Sequence, residues 1–149
     1  MNFTFSREQM MFKKEVLRFA KKEIVPRVQE HDLKGEFDFE SFRKMGDFGI
    51  LGLHFPEELG GGGADVVTTV LAGEALGEAG VDGGLTLAYG AHSFLCADTI
   101  FRHGTDAQRK HYIPKLAGGE WIGCMGLSEP DAVSYVASMS TTAKRQGDT

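Results

Sequence analysis

One stretch of this chain gathers hydrogen-bonding groups where a small molecule could use them: Gly123-Cys124-Met125-Gly126-Leu127-Ser128-Glu129-Pro130. The apolar run from Trp121 to Ser128 carries glycines at 123 and 126 and reads as an extended segment. Glu129-Pro130 turns the chain out of it, because a proline holds the residue before it in extended geometry. The tip of such a segment offers backbone N–H groups and a hydroxyl, which can bond a flat polar heterocycle without adding charge. The same spacing also describes an edge strand that closes a core and ends in a turn.

Other residues with chemical potential yield less. The run Gly60 to Gly63 is followed by Ala64-Asp65, not by the Gly-Lys-Ser/Thr of a phosphate loop. No strand with G-x-G-x-x-G spacing surrounds it, so it reads as a flexible turn and not as a nucleotide cradle. No G-x-S-x-G elbow is present. The histidines (His31, His54, His92, His103 and His111) form no compact metal pattern and read as surface or packing residues, so no metal is expected. Cys96 and Cys124 are too few for a disulfide framework or a zinc cluster and read as reduced, buried thiols. Glu8, Glu15, Glu23 and Glu74 fall on solvated helix faces, and no carboxylate stands out as a general base.

Helices must position these groups. Ser6 with Gln9 makes a capping box, and Phe12, Val16, Phe19 and Ile24 follow at helical spacing. Pro26 should kink or end that helix, because it lacks an N–H and crowds the preceding turn. Asp38 caps a second helix carrying Phe39, Phe42 and Met45, with Gly49 as its stop. A third helix follows Asp65. A fourth follows Asp82 and runs from about Gly84 to His103; its small residues suggest burial inside a bundle. Thr105 with Gln108 opens a fifth, with Pro114 near its end. The expected fold is mainly α, an up-and-down bundle of about five helices followed by a short extended segment that would begin a β domain. The domain reading is 1–119 helical and 120–149 the start of that second domain.

Bulk properties exclude several functions. Basic residues are interspersed with acidic ones at a formal charge of −5, which argues against a nucleic-acid binder. No apolar run approaches the roughly 20 residues that span a bilayer. MNFTFSREQ lacks the charged and apolar regions of a secretory leader and the Arg- and Ser-rich character of an organelle presequence, so the expected location is cytoplasmic.

Taken together, the ordered motifs resemble those of one family. HGTDAQRKHYIPKLAGGEWIGCMGLSEP is similar to the central signature of the acyl-CoA dehydrogenases: a Gly-Thr-x-x-Gln-Lys/Arg run, then Tyr-x-Pro-x-Leu-Ala-x-Gly-Glu, then a strand ending Thr/Ser-Glu-Pro. FTFSREQ, LGLHFPEELGGGGAD and AYGAHSFLC resemble other family stretches in order and spacing, so the resemblance covers essentially the whole chain.

The resemblance implies a flavin enzyme with a helical N-terminal domain, a middle β domain and a C-terminal four-helix domain. Such an enzyme uses FAD to convert an acyl-CoA substrate into a trans-2-enoyl-CoA, oxidising fatty or branched-chain acyl groups. It passes electrons to an electron-transferring flavoprotein and assembles as a homo-oligomer. Met125, Leu127 and Ser128 are then expected to contact the flavin, and Ser134 to lie near both the flavin pyrophosphate and the CoA part of the substrate. The helix around Ala91 to Ala97 would border the acyl pocket. AYGAHSFLC and LSEP look most like members acting on short or branched acyl groups.

Val133 and Tyr135, on either side of Ser134, depart from the glycine and aspartate of the family pattern. The catalytic glutamate and most of the FAD site are expected beyond Thr149, so no residue here is assigned a catalytic role, and the isolated chain is expected to be inactive. Two rival readings keep the helices. One is a same-fold acyl-CoA oxidase or flavin monooxygenase. The other is a non-catalytic helical domain that binds a partner through exposed apolar surface.

Overall fold

The computed structural model describes residues 4–133 and 135–147. Its helices form five rods. The first joins α1 (Arg7–Phe19), a π turn (Ala20–Ile24) and α2 (Val25–Lys34). The second is α3 (Phe39–Asp47) and the third α4 (Val66–Ala79). The fourth joins α5 (Gly83–Gly90), a π stretch (Ala91–Ala97) and α6 (Asp98–His103), and the fifth is α7 (Asp106–Ala117). Among the described residues there is no β ladder, only an isolated bridge between Glu129 and Val133. No described helix is long and apolar enough to cross a membrane.

The predicted caps are in place. The hydroxyls of Ser6 and Thr105 accept the amides of Gln9 and Gln108, whose side chains return the bond. Asp38, Asp65 and Asp82 each accept an amide three residues on. Each cap satisfies N–H groups that a helix leaves unpaired at its start. Gly49 follows α3 at φ 87°, the left-handed geometry expected of its stop.

Pro26 does not end its helix. The π turn lies immediately before it, where the regular bonding pattern is already displaced, and Pro26 enters the first turn of α2, where no N–H is needed. The helix runs on to Lys34 and stops at Gly35, φ 63°. The same turn explains the five-residue step from Phe19 to Ile24: widening the helix keeps Ile24 on the face of Val16 and Ala20, all three buried.

Val16, Ala20 and Ile24 pack with Phe42, Met45, Leu51, Ala72, Leu76, Leu85 and Tyr89 in the larger core. Phe55, Leu59, Ala97, Ile113, Leu116 and Ala117 form a smaller one around α7. Lys13 on α1 bridges Glu74 and Glu78 on α4, both at 3.1 Å, and ties the rim of the larger core.

The tetraglycine run is a fixed loop, not a flexible one. The amides of Gly61, Gly62, Gly63 and Ala64 donate to the carbonyls of Pro56, Gly52, Phe55 and Leu53. A Cβ on Gly61 would overlap the Phe55 carbonyl. Those amides are spent internally and are not available to a phosphate, which agrees with rejecting a nucleotide cradle. The fourth rod is buried on one side only. Leu85, Tyr89, His92, Ser93 and Ala97 face inward, while Leu87 is 74% exposed and Leu95 51%. It lies on the flank of the bundle, not inside it as its small residues suggested.

Candidate functional site

The site is assembled where α7 hands the chain to the extended segment. Gly119, at φ 71°, reverses the chain after α7. The Trp121 amide then donates to the Lys115 carbonyl at 3.2 Å, and the Lys115 ammonium sits 4.0 Å from the centre of the Trp121 ring. These contacts fix where the segment starts.

His92, fully buried, fixes where it goes next. Its Nδ1 accepts the Gly123 amide at 2.9 Å, and its Nε2 donates to the Leu116 carbonyl at 2.9 Å. The ring stands edge-on to Phe42, centroids 5.1 Å apart. Burial depresses the His92 pKa below its ordinary value, partly offset by the Leu116 carbonyl. Next to it, the Ser93 hydroxyl donates to the Leu51 carbonyl at 2.9 Å. Nothing in the local sequence marks His92, whose partners lie far along the chain. The one available signal is a polar residue inside a run of small ones on a helix expected to be buried.

Among the described residues, the backbone from Met125 to Ser128 makes no backbone hydrogen bond. Met125 is half-buried, Leu127 is 44% exposed and Ser128 is exposed. These three predicted residues therefore lie together on one open, extended edge. Ser134 lies outside the described residues. The expected thiols divide: Cys96 is half-buried with its pKa raised by burial, whereas Cys124 is exposed, contrary to its reading as a buried residue.

Beyond Ser128 the chain closes a turn, with the Val133 amide donating to the Glu129 carbonyl at 2.8 Å. Val133 holds φ 47°, a conformation that glycine adopts freely and a β-branched side chain resists. The turn thus holds a glycine-like backbone at a valine. Glu129 does not point out of the turn as a free acid. Its carboxylate accepts the amides of Ser140 and Thr141 at 2.8 and 2.9 Å and the Ser140 hydroxyl at 3.3 Å. These bonds lower its pKa to about 2 and tie the tail to the turn.

Beside the fourth rod, His54, Val66, Val70, Phe94, Asp98 and Arg102 line a cleft of about 300 Å³. His54 Nε2 lies 3.6 Å from Asp98 Oδ1, and burial depresses the His54 pKa. No group of three or more metal-ligating side chains occurs among the described residues.

A helical unit that delivers such an edge from its last helix defines a class of protein. A family model described as "Acyl-CoA dehydrogenase, N-terminal domain" matches residues 6–120, and the chain belongs to the acyl-CoA dehydrogenase family. It is 40% identical over 148 residues to a probable acyl-CoA dehydrogenase of Bacillus subtilis, covering 99% of this chain and 38% of that one. It is 38% identical over 143 residues to mitochondrial isovaleryl-CoA dehydrogenase of Bos taurus, covering 95% of this chain and 33% of that one. A solved acyl-CoA dehydrogenase of Bacillus anthracis, complexed with FAD, superposes with a TM-score of 0.80 at 34% identity, covering 89% of this chain and 23% of that one. This chain thus spans 33–38% of the length of these two curated relatives.

Proposed function

We propose that this chain is the N-terminal part of an FAD-dependent acyl-CoA dehydrogenase, which converts an acyl-CoA into a trans-2-enoyl-CoA and passes electrons to an electron-transferring flavoprotein. The carrying observation is the extended edge Met125–Ser128, whose backbone polar groups have no backbone partner among the described residues. An exposed edge with unpaired amides and carbonyls is a template for further pairing, so an edge of this kind suits a ligand or a second strand. The residues fit a flavin. The backbone groups of Met125 and Leu127 and the Ser128 hydroxyl would hold the polar edge of the heterocycle, and the Met125 and Leu127 side chains would shield its face from water. Ser134 is assigned to the pyrophosphate and CoA region by resemblance alone. When bound, FAD supplies the acceptor for the hydride that leaves the substrate.

The proposed division is 1–119 as the helical domain and 120–149 as the entry to a β domain, supported by the family match ending at residue 120. Cytoplasmic location, homo-oligomerisation and a preference for short or branched acyl groups belong to the same reading. The general base is assigned to a glutamate in the part of the relatives that this chain does not span. The chain alone is therefore proposed to bind FAD weakly or not at all and to be inactive.

The test is a chimera in which this chain replaces the matching part of the Bacillus subtilis relative. It is expected to purify yellow and to reduce a dye acceptor with short or branched acyl-CoA substrates. The isolated chain is expected to purify without flavin absorbance. A colourless chimera, or a stoichiometrically yellow isolated chain, would each defeat the part of the reading it addresses.

A further inference from the structure

We propose that His92 is a positioning residue for the extended edge: its Nδ1 lone pair holds the Gly123 amide, and this bond sets where Met125–Ser128 lies on the helical bundle. The inference rests on the reading of that edge as flavin-facing.

The two partners of the ring determine its chemistry. A backbone amide can only donate, so the Nδ1 facing Gly123 at 2.9 Å is bare. A carbonyl can only accept, so the Nε2 facing Leu116 at 2.9 Å carries the hydrogen. Both bonds demand the same neutral tautomer. With the ring fully buried, no water can replace either partner, so losing one leaves an unpaired polar group in the interior.

The approach of the segment is equally specific. A Cβ on Gly123 would lie 2.6 Å from the Cys96 sulfur and 2.9 Å from the Cys96 Cβ. Residue 123 reaches the imidazole only because it has no side chain. Downstream, the Cys124 amide faces the Cys96 thiol. From Met125 to Ser128 the backbone has no backbone partner among the described residues. The His92 bond is therefore the last strong fixed point before the edge. Histidine suits this position because its two nitrogens join the end of α7 to the segment while the ring packs on Phe42.

Two substitutions separate the two nitrogens. His92→Asn places an oxygen near the Nδ1 position and gives up the reach to Leu116. His92→Gln reaches towards Leu116 and gives up the acceptor for Gly123. Amide hydrogen exchange on the 15N-labelled chain reads the result. H92N is expected to keep Gly123 protected within a few-fold of the parent, and H92Q to speed its exchange by roughly tenfold. Equal protection of Gly123 in the two variants, high or low, would overturn the proposal, since a ring that only fills space is lost alike in both. If neither variant folds, the ring 15N resonances of the parent decide: bare Nδ1 with protonated Nε2 supports the proposal, and the opposite tautomer sinks it.

In the chimera, H92Q is expected to weaken FAD binding by roughly tenfold relative to H92N. Unequal Gly123 protection with equal flavin affinity would refute the positioning role. A parent chimera without flavin would instead defeat the flavin reading, leaving the exchange result to stand or fall separately.

Discussion

Removing the Asp38 carboxylate tests the argument that one buried acid holds α2, α3 and their connection together. Asp38 is 6% exposed. It accepts the Ser41 amide at 3.0 Å and the Ser41 hydroxyl at 2.6 Å, and Arg27 at 2.8 and 3.2 Å. Asp38→Ala forfeits the helix cap, about 1 kcal/mol. It also strands the fully buried Ser41 hydroxyl, about 1–2 kcal/mol, and breaks charge-assisted bonds to Arg27 worth about 1.5 kcal/mol at the lower end. The lower end applies because Arg27 is a third exposed and also meets Glu40, so water and Glu40 recover part of the loss. The expected cost is about 4 kcal/mol, or roughly 10 °C in Tm for a chain of this size.

Asp38→Asn keeps an acceptor for Ser41 and should cost less than half of that. Urea unfolding at pH 7 would show a lower midpoint with an unchanged slope. The carboxyl is held far below its ordinary range, with the Arg27 and Ser41 hydrogen bonds outweighing the cost of burial. Its contribution is therefore present above about pH 4 and fades as pH falls towards the folded value. The gap between parent and Asp38→Asn should narrow at pH 3. An Asp38→Ala protein within 1 kcal/mol of the parent, or an Asn variant as damaged as the Ala one, would refute the reasoning.

Three further outcomes follow from the structure. Val133→Gly should relieve the strained turn by about 1 kcal/mol locally, seen as slower exchange of the Val133-position amide; faster exchange would mean that the side chain, not φ, governs the turn. Tyr89→Phe removes a buried hydroxyl that has no hydrogen-bond partner among the described residues and whose pKa burial pushes up to about 12, so the melting temperature should hold or rise by a few degrees; a clear fall would reveal a hidden bond. His92 and His54 both have pKa values depressed by burial, so the unfolded chain binds more protons below about pH 6.5 and stability should fall as pH drops from there. His92→Asn should flatten part of that slope, and an unchanged slope in stability-versus-pH curves would show that His92 does not titrate on unfolding.

The helix starts were legible because a cap is a local transaction. Ser6 finds Gln9, and Asp65 finds Thr68, within one turn, so type and spacing suffice. The extended edge was legible for a similar reason, through the glycines and the Ser-Glu-Pro turn. The features that tertiary contacts decide were not. A π turn depends on which face must stay buried, and only the five-residue step from Phe19 to Ile24 hinted at it. Glu129 read as part of a turn, but its partners are eleven and twelve residues away. His92 read as a surface or packing residue, and its partners are separated from it by 24 and 31 residues. The tetraglycine run read as flexible because glycine permits mobility; the structure uses the missing side chains for close approach instead.

The widened stretch Ala91–Ala97 sets a rule about chain length. A π turn accommodates an extra residue within a helix while the faces on either side of it stay in phase. Deleting one residue there would restore even pitch and leave α6 on its present face, whereas a deletion in α5 or α6 that the stretch did not absorb would swing the residues beyond it by about 100°. In that second case Asp98 would leave His54, and Ile100 and Phe101 would leave the core around Phe55. The length of the regular turns of this rod is therefore fixed. Outside the widened stretch, tolerated insertions and deletions should collect in the turns at the rod's ends, before Gly83 and at Gly104, as a tandem library of single-residue indels would reveal.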